Sequence, residues 1–320
     1  MFLTPLVVFV LFMLVFGTLV VLSASSWFVA WVGLELNLLS FLPVVFWESG
    51  QGSNESGVKY FFVQSLASLF ILVGSLFPFF VGFFESFYFV VFSLFVKLGA
   101  SPFHFWFVSI VDGMGWMVCL ILMTWQSLAP LFLLFSFEIF SIICLVSVLV
   151  GSFGGFNQVS LSKVLAYSSV LHLGWMLAGL GVSLSVGCQY YFIYFFLMVF
   201  LFLILNSSKI FSVDQLLVGG GWVKVSVFLL MLSLGGFPPF LGFFPKWGVI
   251  LGLLSKDLFL MIFLLISSLI NLYYYFRLVY GGLFLKFLVF SKVLLGDLRW
   301  WVVFGVWVSS FGGVFYPFLV

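Results

Sequence analysis

Charge is nearly missing from this chain of 320 residues, where 11 Lys+Arg and 9 Asp+Glu make up 6%. An ordinary soluble domain carries about 25% charged residues. So few charges cannot cover a water-facing surface, and with 65% hydrophobic residues and a mean hydropathy of +1.38 the solvent implied is a lipid bilayer. Cysteine is scarce too. Cys119, Cys144 and Cys188 lie far apart in apolar runs, which excludes a disulfide framework and a CxxC metal site. The net charge of +2 excludes a nucleic-acid partner. There is no GxGxxG after a strand, no P-loop and no nucleophile with a His/Asp pair, so soluble enzyme chemistry is missing. With two histidines, one beside a proline, a bis-His haem is a poor fit. The N-terminus has neither a basic n-region nor an Arg/Ser-rich amphipathic stretch, so no signal or transit peptide is expected. Phe numbers 49 and Thr occurs three times, a bias towards T- and G-rich codons that suggests an organellar coding strand.

What remains is a series of long apolar runs divided by polar punctuation. The runs predict eleven spans, at roughly 3–22, 26–46, 58–82, 85–107, 114–135, 137–151, 163–182, 187–206, 222–253, 257–280 and 300–318. They are apolar all round, without the alternation of barrel strands, so the fold expected is an all-α polytopic membrane protein. The polar separators are Gln51–Gly57, Asn206–Gln215 and Lys286–Arg299, the last expected to hold a short interfacial helix. Lys59, Lys163, Lys209, Lys224, Arg277, Lys286, Lys292 and Arg299 fall in or beside even-numbered connections, and only Lys256 lies at an odd one. The positive-inside rule then places both the even connections and the N-terminus inside, and the C-terminus outside.

An ionisable side chain at the bilayer centre costs roughly 2.5–3.5 kcal/mol on insertion scales, so each one within a span is a candidate site. Glu35 lies about nine residues into its span, some 13 Å from either end and too deep to snorkel. Lys97 precedes a helix break signalled by Gly99 and Pro102. Irregular backbone survives in a membrane only beside protein or water, so a lysine there suits a hydrated cavity and proton exchange. Lys246 follows a second break, at Gly235, Gly236, Pro238, Pro239 and Pro245. Two interrupted segments with a lysine each, one per half, match the pattern of inverted-repeat transporters. The halves run over roughly 26–151 and 163–280 within a single transmembrane domain, 1–320. His172 is a plausible proton relay, since imidazole titrates near neutral pH. Lys163 begins its span and can snorkel, which makes it the weakest member of the set. His104 is expected to cap broken backbone, Glu85 and Glu138 to be interfacial, Asp112–Gly113 to form a turn, and Arg277 to anchor at the inner surface.

The segments WVGLELNLLSFLP, KYFFVQSLAS, KLGASPFHFW, GSFGGFNQVSLSKVLAYSSVLHLGWM, SLGGFPPFLGFFPKW and NLYYYFRL together resemble the chain 2 family of mitochondrial NADH-ubiquinone oxidoreductase. These are antiporter-like membrane subunits of respiratory complex I, and the resemblance runs from about residue 20 to about residue 280. It implies a proton-translocating module of the mitochondrial inner membrane, with the other membrane-arm subunits and the bilayer as partners. It also implies that Glu35 faces Lys97, that Lys246 serves the exit side, and that His172 is among the polar residues linking the halves. NADH, FMN, iron–sulfur clusters and ubiquinone would belong to other parts of the complex, with no cofactor bound by this chain. The chain departs from the family at one place: Ser127 in WQSLAP stands where the family has a central lysine, so waters held by Ser127 and Gln126, or another residue, must replace it. A stand-alone cation/proton antiporter and a purely structural membrane subunit are the alternatives.

Overall fold

Helix boundaries in this chain follow its few polar residues. In the computed structural model, residues 5–47, 51–76, 83–135, 141–218, 221–284, 305–307 and 309 are described. They form fourteen helices: α1 Pro5–Leu22, α2 Trp27–Phe46, α3 Gln51–Leu76, α4 Phe83–Leu98, α5 Phe105–Val111, α6 Trp116–Met123, α7 Trp125–Leu134, α8 Ser141–Gly154, α9 Leu161–Val182, α10 Leu184–Ser208, α11 Val213–Val218, α12 Gly221–Gly235, α13 Phe243–Leu253 and α14 Leu258–Phe284. Ser26 caps α2 by accepting from Val29 N–H, and Ser183 caps α10 by accepting from Val186 N–H. Among the described residues, seven helical stretches are long and apolar enough to cross a membrane. Counting α4/α5 and α12/α13 as broken spans and α8 as a shorter one, the first ten spans read from the sequence each find a helix. The eleventh falls mostly outside the described residues, as do Glu138 and the Lys286–Arg299 stretch.

Three details differ from the sequence reading. The Gln51–Gly57 separator is the first part of α3, not a loop. An ion pair from Lys59 Nζ to Glu55 Oε1 (2.6 Å) spans one turn there, and Ser53 and Ser56 are small enough to be buried. The Asn206–Gln215 separator includes the end of α10 and the start of α11, which opens with a capping box. Gln215 N–H donates to Ser212 Oγ (3.3 Å), and Gln215 Oε1 accepts from the N–H of Phe211 (2.8 Å) and Ser212 (3.3 Å). The span over 114–135 is kinked at Thr124, whose hydroxyl donates back to Leu120 O (2.6 Å), a bond that bends helices.

The chain divides into two compact units, Met1–Ile139 and Phe140–Val320. In the first, α1 and α2 meet almost backbone to backbone. A Cβ on Gly17 would lie 3.1 Å from Gly33 O and 2.5 Å from Asn37 Oδ1. Small residues at membrane helix contacts permit this approach, where lipid supplies no hydrophobic drive. In the second unit α9 is the central helix, with nearly every residue from Leu161 to Gly179 buried. A Cβ on Gly151 of α8 would lie 2.6 Å from Leu171 N and 2.8 Å from its Cα, so this crossing is also set by backbone. The C-terminal end of α9 is held from a distance: Lys256 Nζ donates to Gly181 O (2.8 Å) and Val182 O (3.0 Å).

Two outcomes are expected. Gly151→Val destabilises the fold by about 1–3 kcal/mol, because backbone rather than a flexible side chain must yield. Gly248→Ala, with nothing within 4 Å of the added methyl, is neutral or stabilising. Thermal melts of the assembled complex read both. Lys256→Met frees the carbonyl end of α9 at a cost of about 1 kcal/mol, which hydrogen exchange at the α9–α10 junction detects as faster exchange.

Candidate functional site

Polar side chains are buried in each unit beside a helix break. In the first unit, α4 ends at Lys97, Gly99 turns the chain with φ +68°, and α5 restarts at Phe105. Glycine is required there, since a Cβ would meet Phe107 Cβ at 3.0 Å on a backbone that L side chains rarely adopt. The carbonyls freed by the break find donors inside the protein. Gln64 Nε2 donates to Lys97 O (3.2 Å), and Trp106 Nε1 donates to Val96 O (3.1 Å). Lys97 is 7% exposed. Glu35, half-buried midway along α2, acts electrostatically on both Lys97 and the buried Tyr60 of α3. No ion pair within 4.0 Å joins Glu35 to Lys97 among the described residues; the two charges interact at a separation.

His104 is buried at the start of α5, its Nδ1 3.2 Å from Ser101 Oγ and its ring close to the Pro102 backbone. Its side chain therefore serves the break itself. Ser127 is buried on α7, but its hydroxyl donates to Thr124 O (2.7 Å) within its own helix. The neighbouring Gln126 Nε2 is buried with no hydrogen-bond partner. Of the two residues read as substitutes for the central lysine, the amide of Gln126 has the unused hydrogen-bonding capacity.

In the second unit, α12 ends at Gly235 and Gly236 turns with φ +81°. Lys246, on the first turn of α13, is 4% exposed and reaches back so that Nζ donates to Gly235 O (2.8 Å). Gly236 makes room for that stem: a Cβ would lie 2.8 Å from Lys246 Cδ and 3.0 Å from Nζ. The ammonium sits over the Trp175 ring at 5.7 Å, a cation–π arrangement worth about 2 kcal/mol when desolvated. Trp175 is three residues past His172 on α9, one turn away, and His172 feels the charge of Lys246. His172 Nδ1 lies 2.9 Å from Tyr190 Oη, while its Nε2 is buried and unpartnered.

Four of the residues singled out from the sequence thus form two groups, Glu35 with Lys97 and His172 with Lys246. Lys163 stands apart from the second group. It is half-buried at the third position of α9, and nine residues along a helix place it about 14 Å from His172. Arg277 donates to Phe156 O (3.4 Å) and lies 5.9 Å from that ring, which Tyr273 stacks in turn. The sequence reading missed Tyr60, Gln64, Tyr190 and Trp175. The signal was available: polar or hydroxyl residues at i, i+4 in KYFFVQS and QYYFIY share one helix face. No group of three His, Cys, Asp or Glu that could hold a metal ion occurs among the described residues.

The sequence matches the NADH:quinone oxidoreductase/Mrp antiporter transmembrane family over residues 24–82 and 77–271. It is 40% identical over 292 residues to NADH-ubiquinone oxidoreductase chain 2 of Anopheles gambiae, covering 87% of this chain and 86% of that one. Its fold resembles a chain of respiratory complex I from Thermus thermophilus with a TM-score of 0.82, at 22% identity over 96% of this chain and 78% of the other. It also resembles a chain of an archaeal membrane-bound sulfane sulfur reductase with a TM-score of 0.85, at 17% identity over 97% and 73%. By this identity and this family match, the chain belongs to the NADH-ubiquinone oxidoreductase chain 2 family.

Proposed function

We propose that this chain is a proton-translocating subunit in the membrane arm of respiratory complex I. The observation that supports this most is that, among the described residues, each compact unit holds one buried lysine at a glycine-turned helix break, near a second ionisable group. A lysine taken out of water holds its proton conditionally, according to the charges around it. Glu35 and Lys97 interact across a gap, so a small movement of either changes how firmly Lys97 keeps its proton. Lys246 and His172 form the corresponding group of the second unit, where a proton on one disfavours a proton on the other. Lys163 would be a peripheral member.

On this reading the half-channels run over roughly 26–151 and 163–280. The chain lies in the mitochondrial inner membrane with its N-terminus on the matrix side and its C-terminus on the intermembrane-space side. Its reaction is that of a H⁺-translocating NADH:ubiquinone reductase. Electrons pass from NADH to ubiquinone through cofactors in other subunits, and this chain converts the energy released into movement of protons. Gln126, with water, takes the place of the central lysine.

Two experiments test the proposal. Glu35→Gln keeps the shape of α2 but removes the charge that governs Lys97. Proton flux, normalised to NADH oxidation by an artificial acceptor, is expected to fall about tenfold, equivalent to about 1.4 kcal/mol of lost coupling. Unchanged flux in a normally assembled complex would reduce the buried charges to structural pins. The isolated chain in liposomes is expected to move neither sodium nor potassium under an imposed pH gradient; cation exchange there would favour a stand-alone antiporter.

A further inference from the structure

Among the described residues of the second unit, Lys246 is a buried cation without a buried anion. Asp214 and Asp257, the acidic residues described there, are both exposed, and no Asp or Glu is among the described buried residues. The first unit differs, since Glu35 acts there on Lys97. What meets the Lys246 ammonium is neutral. Nζ donates to Gly235 O (2.8 Å), a carbonyl at the end of α12, and lies 5.7 Å from the centre of the Trp175 ring. An ammonium taken out of water needs compensation, and an indole face is the strongest aromatic partner it can have.

Trp175 is placed for that use. It is 0% exposed, and its Nε1 is buried with no hydrogen-bond partner. A residue that only filled space would be better as Phe or Leu, which leave no donor unmet. The surroundings therefore use the face of the ring rather than its N–H. Stacking, not a hydrogen bond, orients it. The Tyr190 ring lies 6.3 Å away with the two planes 15° apart. Tyr190, 2% exposed on α10, also sets its Oη 2.9 Å from His172 Nδ1. His172 and Trp175 are one turn apart on α9, so Tyr190 straddles both. An unprotonated Nδ1 accepts from the Tyr190 hydroxyl, and a protonated one donates to it. In either case Tyr190 stays between imidazole and indole.

We propose that Trp175 is a positioning residue for Lys246: its indole face stands where a carboxylate would otherwise meet the ammonium, and Tyr190 holds that face in place and ties it to His172. A carboxylate in contact would keep the lysine charged as half of an ion pair. A neutral ring holds the charged form without locking it, which suits a lysine that must both take up and give up a proton. The functional part deepens the pumping reading and rests on it, whereas the placement of Lys246 does not.

Substitutions at Trp175 in the intact complex test this. Trp175→Phe keeps a smaller aromatic face, and Trp175→Leu keeps only apolar bulk. Cryo-electron microscopy is expected to show Lys246 Nζ over the ring at position 175 in the Phe variant and turned away from that position in the Leu variant. Lys246 unmoved in the Leu variant would overturn the positioning role. Proton flux normalised to artificial-acceptor activity is expected to fall about tenfold or more with Leu, as for loss of a desolvated cation–π contact, and to be restored by Phe to within about threefold of the native level. Equal flux in the two variants would reduce Trp175 to packing and overturn the proposal. Trp175→Met, which fills irregular gaps, replaces the Leu variant if that one does not assemble. Tyr190→Phe keeps the stack and removes the hydroxyl, so Lys246 is expected to stay in place while flux falls about threefold; unchanged flux there overturns the tie to His172. If Glu35→Gln leaves flux unchanged, the pumping reading has failed, and the position of Lys246 alone decides the role of Trp175.

Discussion

A helix that stops inside a bilayer exposes carbonyls to a medium that cannot hydrogen-bond them, and each unmet group costs several kcal/mol. The broken spans of this chain are organised around that constraint. At the first break the donors are Gln64 Nε2 and Trp106 Nε1, both neutral and both from elsewhere in the fold. At the second, the donor to Gly235 O is the ammonium of Lys246. The difference has a chemical result. Lys97 is relieved of structural duty by Gln64, so its side chain is free to answer Glu35, whereas Lys246 is tied to the backbone and answers to Trp175 and His172. Glycines 99 and 236 make both arrangements possible by adopting backbone angles that other residues avoid.

Much of this was legible in the sequence, for a physical reason. Twenty charged residues in 320 leave the long apolar runs unmistakable, and a charge inside a run stands out against a nearly silent background. Glu35, Lys97, His172 and Lys246 were visible in this way, as were the Gly/Pro breaks beside the two lysines. The residues that escaped notice are uncharged. Tyr190 is one aromatic among many in an apolar helix until its hydroxyl is seen beside His172 Nδ1. Gln64 was one polar residue in an amphipathic turn until its amide was found on Lys97 O. Helix edges were least legible where polarity is misleading. Small serines and an i, i+4 ion pair let α3 start seven residues before its apolar run, and a capping box between Ser212 and Gln215 begins α11.

The two ionisable groups also differ in sign. In the first unit a carboxylate and an amine attract across a gap; in the second an amine and an imidazole repel when both are charged. Attraction that changes with distance and repulsion that limits occupancy are complementary means of making proton affinity depend on conformation. Neither requires a direct ion pair, and the ion pair of Glu55 with Lys59 among the described residues lies on the exposed start of α3.

Lys256 is the one basic residue that breaks the alternation of charge between even and odd connections. Its ammonium is bound by the two carbonyls that close α9, where the helix dipole supplies about half a negative charge. A cation bound in this way by its own chain has little left to offer lipid headgroups. Once folded, the chain satisfies this one exception with its own backbone, across the connection between α13 and α14.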